Sequence, residues 1–219
     1  MNIDSGKCGK CLEWSYDKAL RQITICGKGT MPDFELSHDN DNKGFDFDDR
    51  PWSLIIDDIK TIVIEEGVIN IGLEAFLGAK SLEEIIIKGI GINIRSAAFA
   101  YCKNLKRVFF EHPDAGNAYV KLEEGTFSDC VNLESINLPK NGELENNVFY
   151  NCKSLGKVRI PQGTRLIDDY TFSGCENLIE VEVPNTVERI EPNAFEGCDK
   201  LKHVALPSSV KKIGIFELN

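Results

Sequence analysis

Six phenylalanines recur at nearly one interval. Phe76, Phe99, Phe127, Phe149, Phe172 and Phe195 follow one another at 23, 28, 22, 23 and 23 residues. Three residues after each stands Ala79, Cys102, Cys130, Cys152, Cys175 or Cys198, and three further on a leucine: Leu82, Leu105, Leu133, Leu155, Leu178, Leu201. A unit of this length cannot enclose an apolar core, but stacked copies bury a continuous one. The spacing therefore predicts a repeat solenoid in which each coil contacts only its neighbours.

One copy shows how the chain turns. In LIEVEVP, Leu178, Val181 and Val183 face inward, the last two alternating as a strand does, and Pro184 ends the ladder because it has no N–H to donate. The half ending VERIEPNAF returns Val187, Ile190 and Phe195 to the core. Ile59, Ile62 and Ile64 fit the same strand template. The pattern predicts seven stacked parallel strands, from Ile59 to Leu201–Leu206, in a right-handed stack about 30 Å long. Upstream, LEWSY and LRQITIC flank a turn at Asp17–Lys18 and read as a β-hairpin. The expected organisation is an N-terminal β cap with an acidic loop over residues 1–58. A solenoid of about six to seven turns follows over 59–219.

The phrases AFAYCKNLKRVFF, TFSGCENLIEVEVP and AFEGCDKLKHVALP resemble the BspA-like, or Treponema-type, leucine-rich repeat. GKCGKCLEWSYDKALRQITICGKGTM and RPW are similar to the module that often precedes such repeats. The resemblance implies a bacterial surface or secreted protein that acts in adhesion or protein binding, with a protein or host-surface ligand and no cofactor. It does not imply an enzyme.

Charge and composition narrow the partners. The net charge of −10 argues against a nucleic-acid binder and a polybasic membrane anchor. No stretch approaches the roughly 18 apolar residues of a membrane span, so no membrane insertion is expected. The start, MNIDSGKCGK, has no apolar leader core. Two locations fit: the cytosol, or the cell surface with an export signal supplied outside these residues.

The cysteines that follow each Phe read as small apolar residues in a packed column, because Ala79 takes the position in the first copy and would ruin a ligand set. The N-terminal group is open to three readings. Cys8, Cys11 and Cys26 are packed thiols, or a disulfide joins two of them, or with His38 they close a tetrahedral zinc site. The last reading would make a metal- or redox-responsive protein, the alternative to a binding module. DNDNKG places Asp39, Asp41 and Gly44 at calcium-loop positions, but Lys43 and Arg50 break the pattern and a solvated acidic loop is expected. The histidines His38, His112 and His203 are scattered, and HExxH, GxSxG and phosphate-loop motifs do not occur.

Residues between the inward ones point outward along the sheet. One outward row reads Val63, Ile86, Phe109, Asn137, Arg159, Glu182, Ala205; its neighbour reads Thr61, Glu84, Arg107, Ser135, Lys157, Glu180, His203. Ion pairs are expected for Glu84–Arg107, Lys157–Glu180 and Arg159–Glu182. Val63, Ile86 and Phe109 form an apolar patch beside Arg107, and the 28-residue interval places its extra residues, with His112, just past Phe109. These five residues are the candidate partner site, unless residues 33–55 cover it. Trp52 is expected to plug the core where the cap meets the first coil. At the other end, Ile215 and Phe216 are expected to fold over the last turn and keep the protein monomeric, with end-to-end association of two chains as the other outcome.

Overall fold

The computed structural model describes residues 5–34, 36–38 and 45–214. The cap carries β1 (Ser5–Lys7), β2 (Leu12–Asp17), β3 (Gln22–Gly27), β4 (Gly29–Thr30), β5 (Leu36–His38) and β6 (Phe45–Asp48), followed by a 3-10 turn over Ser53–Asp58. The coils then contribute strands in pairs: β7 (Thr61–Ile64) and β8 (Val68–Ile71), β9 (Glu84–Ile87) and β10 (Gly91–Ile94), β11 (Arg107–Phe110) and β12 (Tyr119–Leu122). Shorter pairs follow: β13 (Ser135–Ile136) and β14 (Asn141–Leu144), β15 (Lys157–Arg159) and β16 (Leu166–Ile167), β17 (Glu180–Glu182) and β18 (Arg189–Ile190), then β19 (Lys212–Ile213).

Two walls result. The first is a seven-stranded sheet ordered β1-β2-β3-β7-β9-β11-β13, and the second is ordered β14-β12-β10-β8-β4. Strands within the coils pair in parallel, because each coil returns to its starting side one strand spacing further on. The expected stack is present, with two differences. The cap hairpin joins the stack directly, since β3 pairs in parallel with β7 (Ile23 opposite Ile62, Ile25 opposite Ile64) and opens the first wall. At the far end the predicted strand over Leu201–Leu206 does not form, and Leu206 is exposed. The free edge of β17 lies before it, but the terminal coil is covered on one side only and leaves Leu201 and Val204 half-buried, so little apolar burial holds a strand there.

Between the walls runs one aromatic column. Trp52 stacks on Phe76 (4.7 Å between centroids, 5° between planes), and Phe76, Phe99, Phe127, Phe149, Phe172 and Phe195 continue at 5.4–5.9 Å. Trp52 is the expected plug, fully buried and also edge-on to Trp14 and Phe34.

The cysteine column has a polar role that packing alone does not suggest. The thiols of Cys102, Cys130, Cys152, Cys175 and Cys198 donate to the carbonyls of Phe76, Phe99, Phe127, Phe149 and Phe172 in the coil before, at 3.1–3.2 Å. Four of the thiols are fully buried, and Cys198, in the last coil, is half-buried. Burial pushes the Cys198 thiol up from its ordinary 9.0 to about 12, and Cys8 likewise to about 12, the latter helped by Cys26 and Glu13. A raised thiol pKa means that the folded chain keeps protons which the unfolded chain loses. Its stability contribution is full below about pH 9 and is lost as pH rises from 9 towards 12. Native protein at pH 8 should therefore leave Cys102, Cys130, Cys152 and Cys175 unlabelled by iodoacetamide while Cys11 reacts at once. The urea midpoint should fall above pH 9, and Cys198→Ala should flatten part of that slope. Prompt labelling of the column at pH 8 would refute this packing.

The first coil shows how the cap works. Around Phe76, Phe99, Phe127 and Phe149, backbone N–H groups at the Phe, two residues before it and two after donate to carbonyls of the next coil, as Glu74 to Ser96, Phe76 to Ala98 and Gly78 to Ala100. The corresponding carbonyls of the first coil, Leu73, Ala75 and Leu77, have no coil before them. The cap supplies all three donors: the Phe34 N–H (3.3 Å), the Trp52 indole Nε1 (2.9 Å) and an Arg50 guanidinium N–H (2.9 Å). Arg50 is itself buried and its charge is met by both carboxylate oxygens of Asp48 at 2.8 Å or less. An exposed ladder edge is an aggregation site, and one backbone and two side-chain donors close this one.

Each turn about a Phe also needs two left-handed residues. Two before the Phe stand Glu74, Ala97, Gly125, Asn147, Tyr170 and Asn193; two after it stand Gly78, Tyr101, Asp129, Asn151, Gly174 and Gly197, all with φ between 52° and 73°. Gly, Asn and Asp are the residues that adopt this region at least cost. Most of the positions carry them.

Candidate functional site

The outer face of the first wall has three rows, set by strand alternation. The middle one is Thr24, Val63, Ile86, Phe109, in register across β3, β7, β9 and β11. Phe109 is 47 % exposed and Ile86 half-buried, but Val63 is only 6 % exposed and is not part of an open patch. It is enclosed by its row neighbours because the sheet continues into the cap on that side. On one flank Arg107 reaches Glu84 at 2.9 Å, as expected. The other flank was not anticipated: Lys88 pairs with Glu65 at 2.8 Å, and Glu111 follows in the same row. The hydrogen bond to Glu65, with the field of Glu111, raises the Lys88 ammonium pKa above its ordinary value. The 23-residue spacing of Glu65, Lys88 and Glu111 is a sequence signal that could have found this row.

The face ends in a wall made by the insertion. His112 is exposed beside Glu111, 4.0 Å away. The Lys140 N–H donates to the Pro113 carbonyl (2.9 Å), and Asp114 takes Arg159 at 3.2 Å. Arg159 also donates to the Leu138 carbonyl at 3.0 Å. The expected Arg159–Glu182 pair is thus replaced, because the inserted residues bring a carboxylate nearer; Lys157–Glu180 forms as expected at 2.6 Å. Asn137 bonds the Phe110 N–H and carbonyl through its side-chain amide (2.7 and 2.9 Å), which shortens β13 and interrupts the sheet before β15. Ile86, Arg107, Phe109 and His112 therefore share one face bounded by the insertion.

The described residues of the cap do not cover them. Its described contacts from residues 33–55 seat on the turn about Phe76, through Phe34, Arg50 and Trp52, and on Arg95 through Asp33 at 2.6 Å.

The N-terminal cysteines do not converge. Cys8 is buried, Cys11 exposed and Cys26 half-exposed on the outer face opposite Glu13, all as free thiols. Cys8 follows β1 and Cys26 lies on β3, with β2 between them, so they stand about 9–10 Å apart. The side chain of His38 lies outside the described residues, as does the stretch 39–44, expected to be a solvated acidic loop. Among the described residues no group of three or more His, Cys, Asp or Glu side chains could hold a metal ion. No helix among them is long and apolar enough to cross a membrane.

The repeat geometry now meets a direct comparison. The model of the BspA type leucine rich repeat region matches in six copies, over residues 56–143 and 110–217. The chain belongs to this family. Solved structures of similar fold include a leucine rich cell surface protein from Faecalibacterium prausnitzii (24 % identity, TM-score 0.59), matched over 96 % of this chain and 50 % of that one. The Treponema pallidum leucine-rich repeat protein matches at 23 % identity with TM-score 0.59, over 94 % of this chain and 92 % of that one. A leucine-rich repeat protein from Eubacterium ventriosum matches at 16 % and 0.52, over 96 % and 68 %. The BspA-type chain thus spans half the length of the F. prausnitzii protein. No curated protein matches the sequence.

Proposed function

We propose that this BspA-type chain is a non-enzymatic protein-binding module of adhesion type, working at the cell surface. Residues 1–58 act as the cap and 59–219 as the solenoid that presents the binding face. The observation that carries the reading is Phe109: a large aromatic, half exposed on a rigid sheet, with Ile86 beside it and paired charges around it. An aromatic anchor inside a ring of satisfied polar groups is the arrangement that concentrates binding energy in protein interfaces. Arg107 and His112 form its rim. Support for the surface location is the F. prausnitzii protein, itself described as a cell surface protein.

The test is a panel of immobilised host-surface proteins probed with the wild type and with Ile86→Ser/Phe109→Ser. Stability should change by less than about 1 kcal/mol, since neither side chain belongs to the core. Affinity for a bound panel member should fall by about tenfold or more. Binding indifferent to both substitutions would end the assignment to this face.

A further inference from the structure

A second surface lies on the turn side, away from Phe109. Tyr101, Tyr150 and Tyr170 project from the Phe turns of three coils and are 53 %, 38 % and 37 % exposed. Tyr150 and Tyr170 meet at 6.4 Å with their rings nearly perpendicular. Tyr101 donates its N–H to the Ser128 carbonyl, and Asp129 donates to that of Tyr150, so Tyr101 stands two coil steps from Tyr150, about 10 Å. The three rings thus form a row along the stack.

Two of them occupy costly positions. Tyr101 (φ 58°) holds left-handed backbone where the other coils place Gly78, Asp129, Asn151, Gly174 and Gly197, and Tyr170 (φ 56°) where they place Glu74, Ala97, Gly125, Asn147 and Asn193. An aromatic residue there gives up stability that glycine would supply; Tyr101 is half in solvent and recovers little of it, while Tyr170 recovers part by packing on Tyr150. Polar groups of fixed orientation lie between the rings. The Asn151 amide donates to Asp129 Oδ1 at 2.6 Å, Ser128 Oγ contacts Asp129 Oδ2 at 3.4 Å, and the Asn147 N–H donates to the Asp169 carbonyl at 3.3 Å.

We propose that this row is an oligosaccharide-binding platform. A pyranose ring offers one face of C–H groups and an edge of hydroxyls. Flat aromatic faces take the former, and amides and carboxylates such as Asn151 and Asp129 take the latter. Tyrosine suits the task because it presents a rigid amphipathic surface with few torsions to freeze. The length of the row matches a chain of three to four sugars, at about 5 Å per ring.

Position 101 separates this function from a structural role. Tyr101→Gly should raise the unfolding midpoint by about 2–3 °C through relief of the left-handed strain, while removing one binding ring. Saturation-transfer NMR with cellotetraose, chitotetraose and maltotetraose should show ring-proton contacts for at least one of them. Tyr101→Gly and Tyr150→Ser should each weaken that binding tenfold or more, with Phe109→Ser leaving it unchanged. A lower midpoint for Tyr101→Gly would show that the ring is a packing residue and overturn the proposal. No transfer signal from any of the three sugars, or a signal indifferent to both substitutions, would overturn it as well, and a protein ligand lost on Tyr150→Ser would reassign the row to a protein partner.

Discussion

Trp52→Ala is expected to lower stability by about 3–5 kcal/mol, with a fall in melting temperature of roughly 10 °C. The indole is fully buried, extends the aromatic column by one ring and donates to the Ala75 carbonyl. Its removal opens a cavity at the junction and leaves that carbonyl without a donor, a loss that adds to the cavity term without being separable from it. Trp52→Phe separates the two parts. It keeps a stacked ring on Phe76 and deletes only the N–H, so its cost should be less than half. In hydrogen exchange, Trp52→Ala should release the amides of the first coil before those of the middle coils, because a solenoid frays from an uncapped end. Uniform release along the chain would show that the cap contributes no end-protection of its own.

The second large effect is expected at Phe127. This ring is fully buried and stacked on both faces, against Phe99 at 5.6 Å and Phe149 at 5.9 Å. Phe127→Ala should cost about 3–5 kcal/mol and remove the coupling between two halves of the stack. Phe195 is the same residue in the same repeat position, but it is only half-buried and, among the described residues, stacks on Phe172 alone. Its replacement by Ala should cost less than half as much. Urea unfolding read by circular dichroism gives both values. Equal costs would mean that stability is not transmitted through the ring column. A broadened or two-step transition for Phe127→Ala would show the halves melting separately, as nearest-neighbour coupling requires.

The period of the Phe, Cys and Leu positions determined the solenoid, its parallel pairing and its core by sequence alone. A 23-residue unit has one way to bury its apolar positions, and every copy repeats the constraint. The plug role of Trp52 was legible for the same reason, as a large apolar residue one period before the first ladder Phe. The hairpin was legible from alternation, and the Glu84–Arg107 pair from register. What the tertiary structure decided depends on which neighbour each group meets at the ends and interruptions of the repeat, where periodicity no longer applies. Val63 is buried because the cap strand continues the sheet past it, and Arg159 turns to Asp114 because five inserted residues carry a carboxylate within reach. Arg50 and Trp52 meet the carbonyls of a coil that has no predecessor, which no local pattern can express. Leu206 lies outside any ladder because the terminal coil, covered on one side only, buries too little apolar surface to hold a strand on the free edge of β17. The tyrosine row likewise emerges only in three dimensions, since its members occupy different positions in their repeats and become neighbours through stacking.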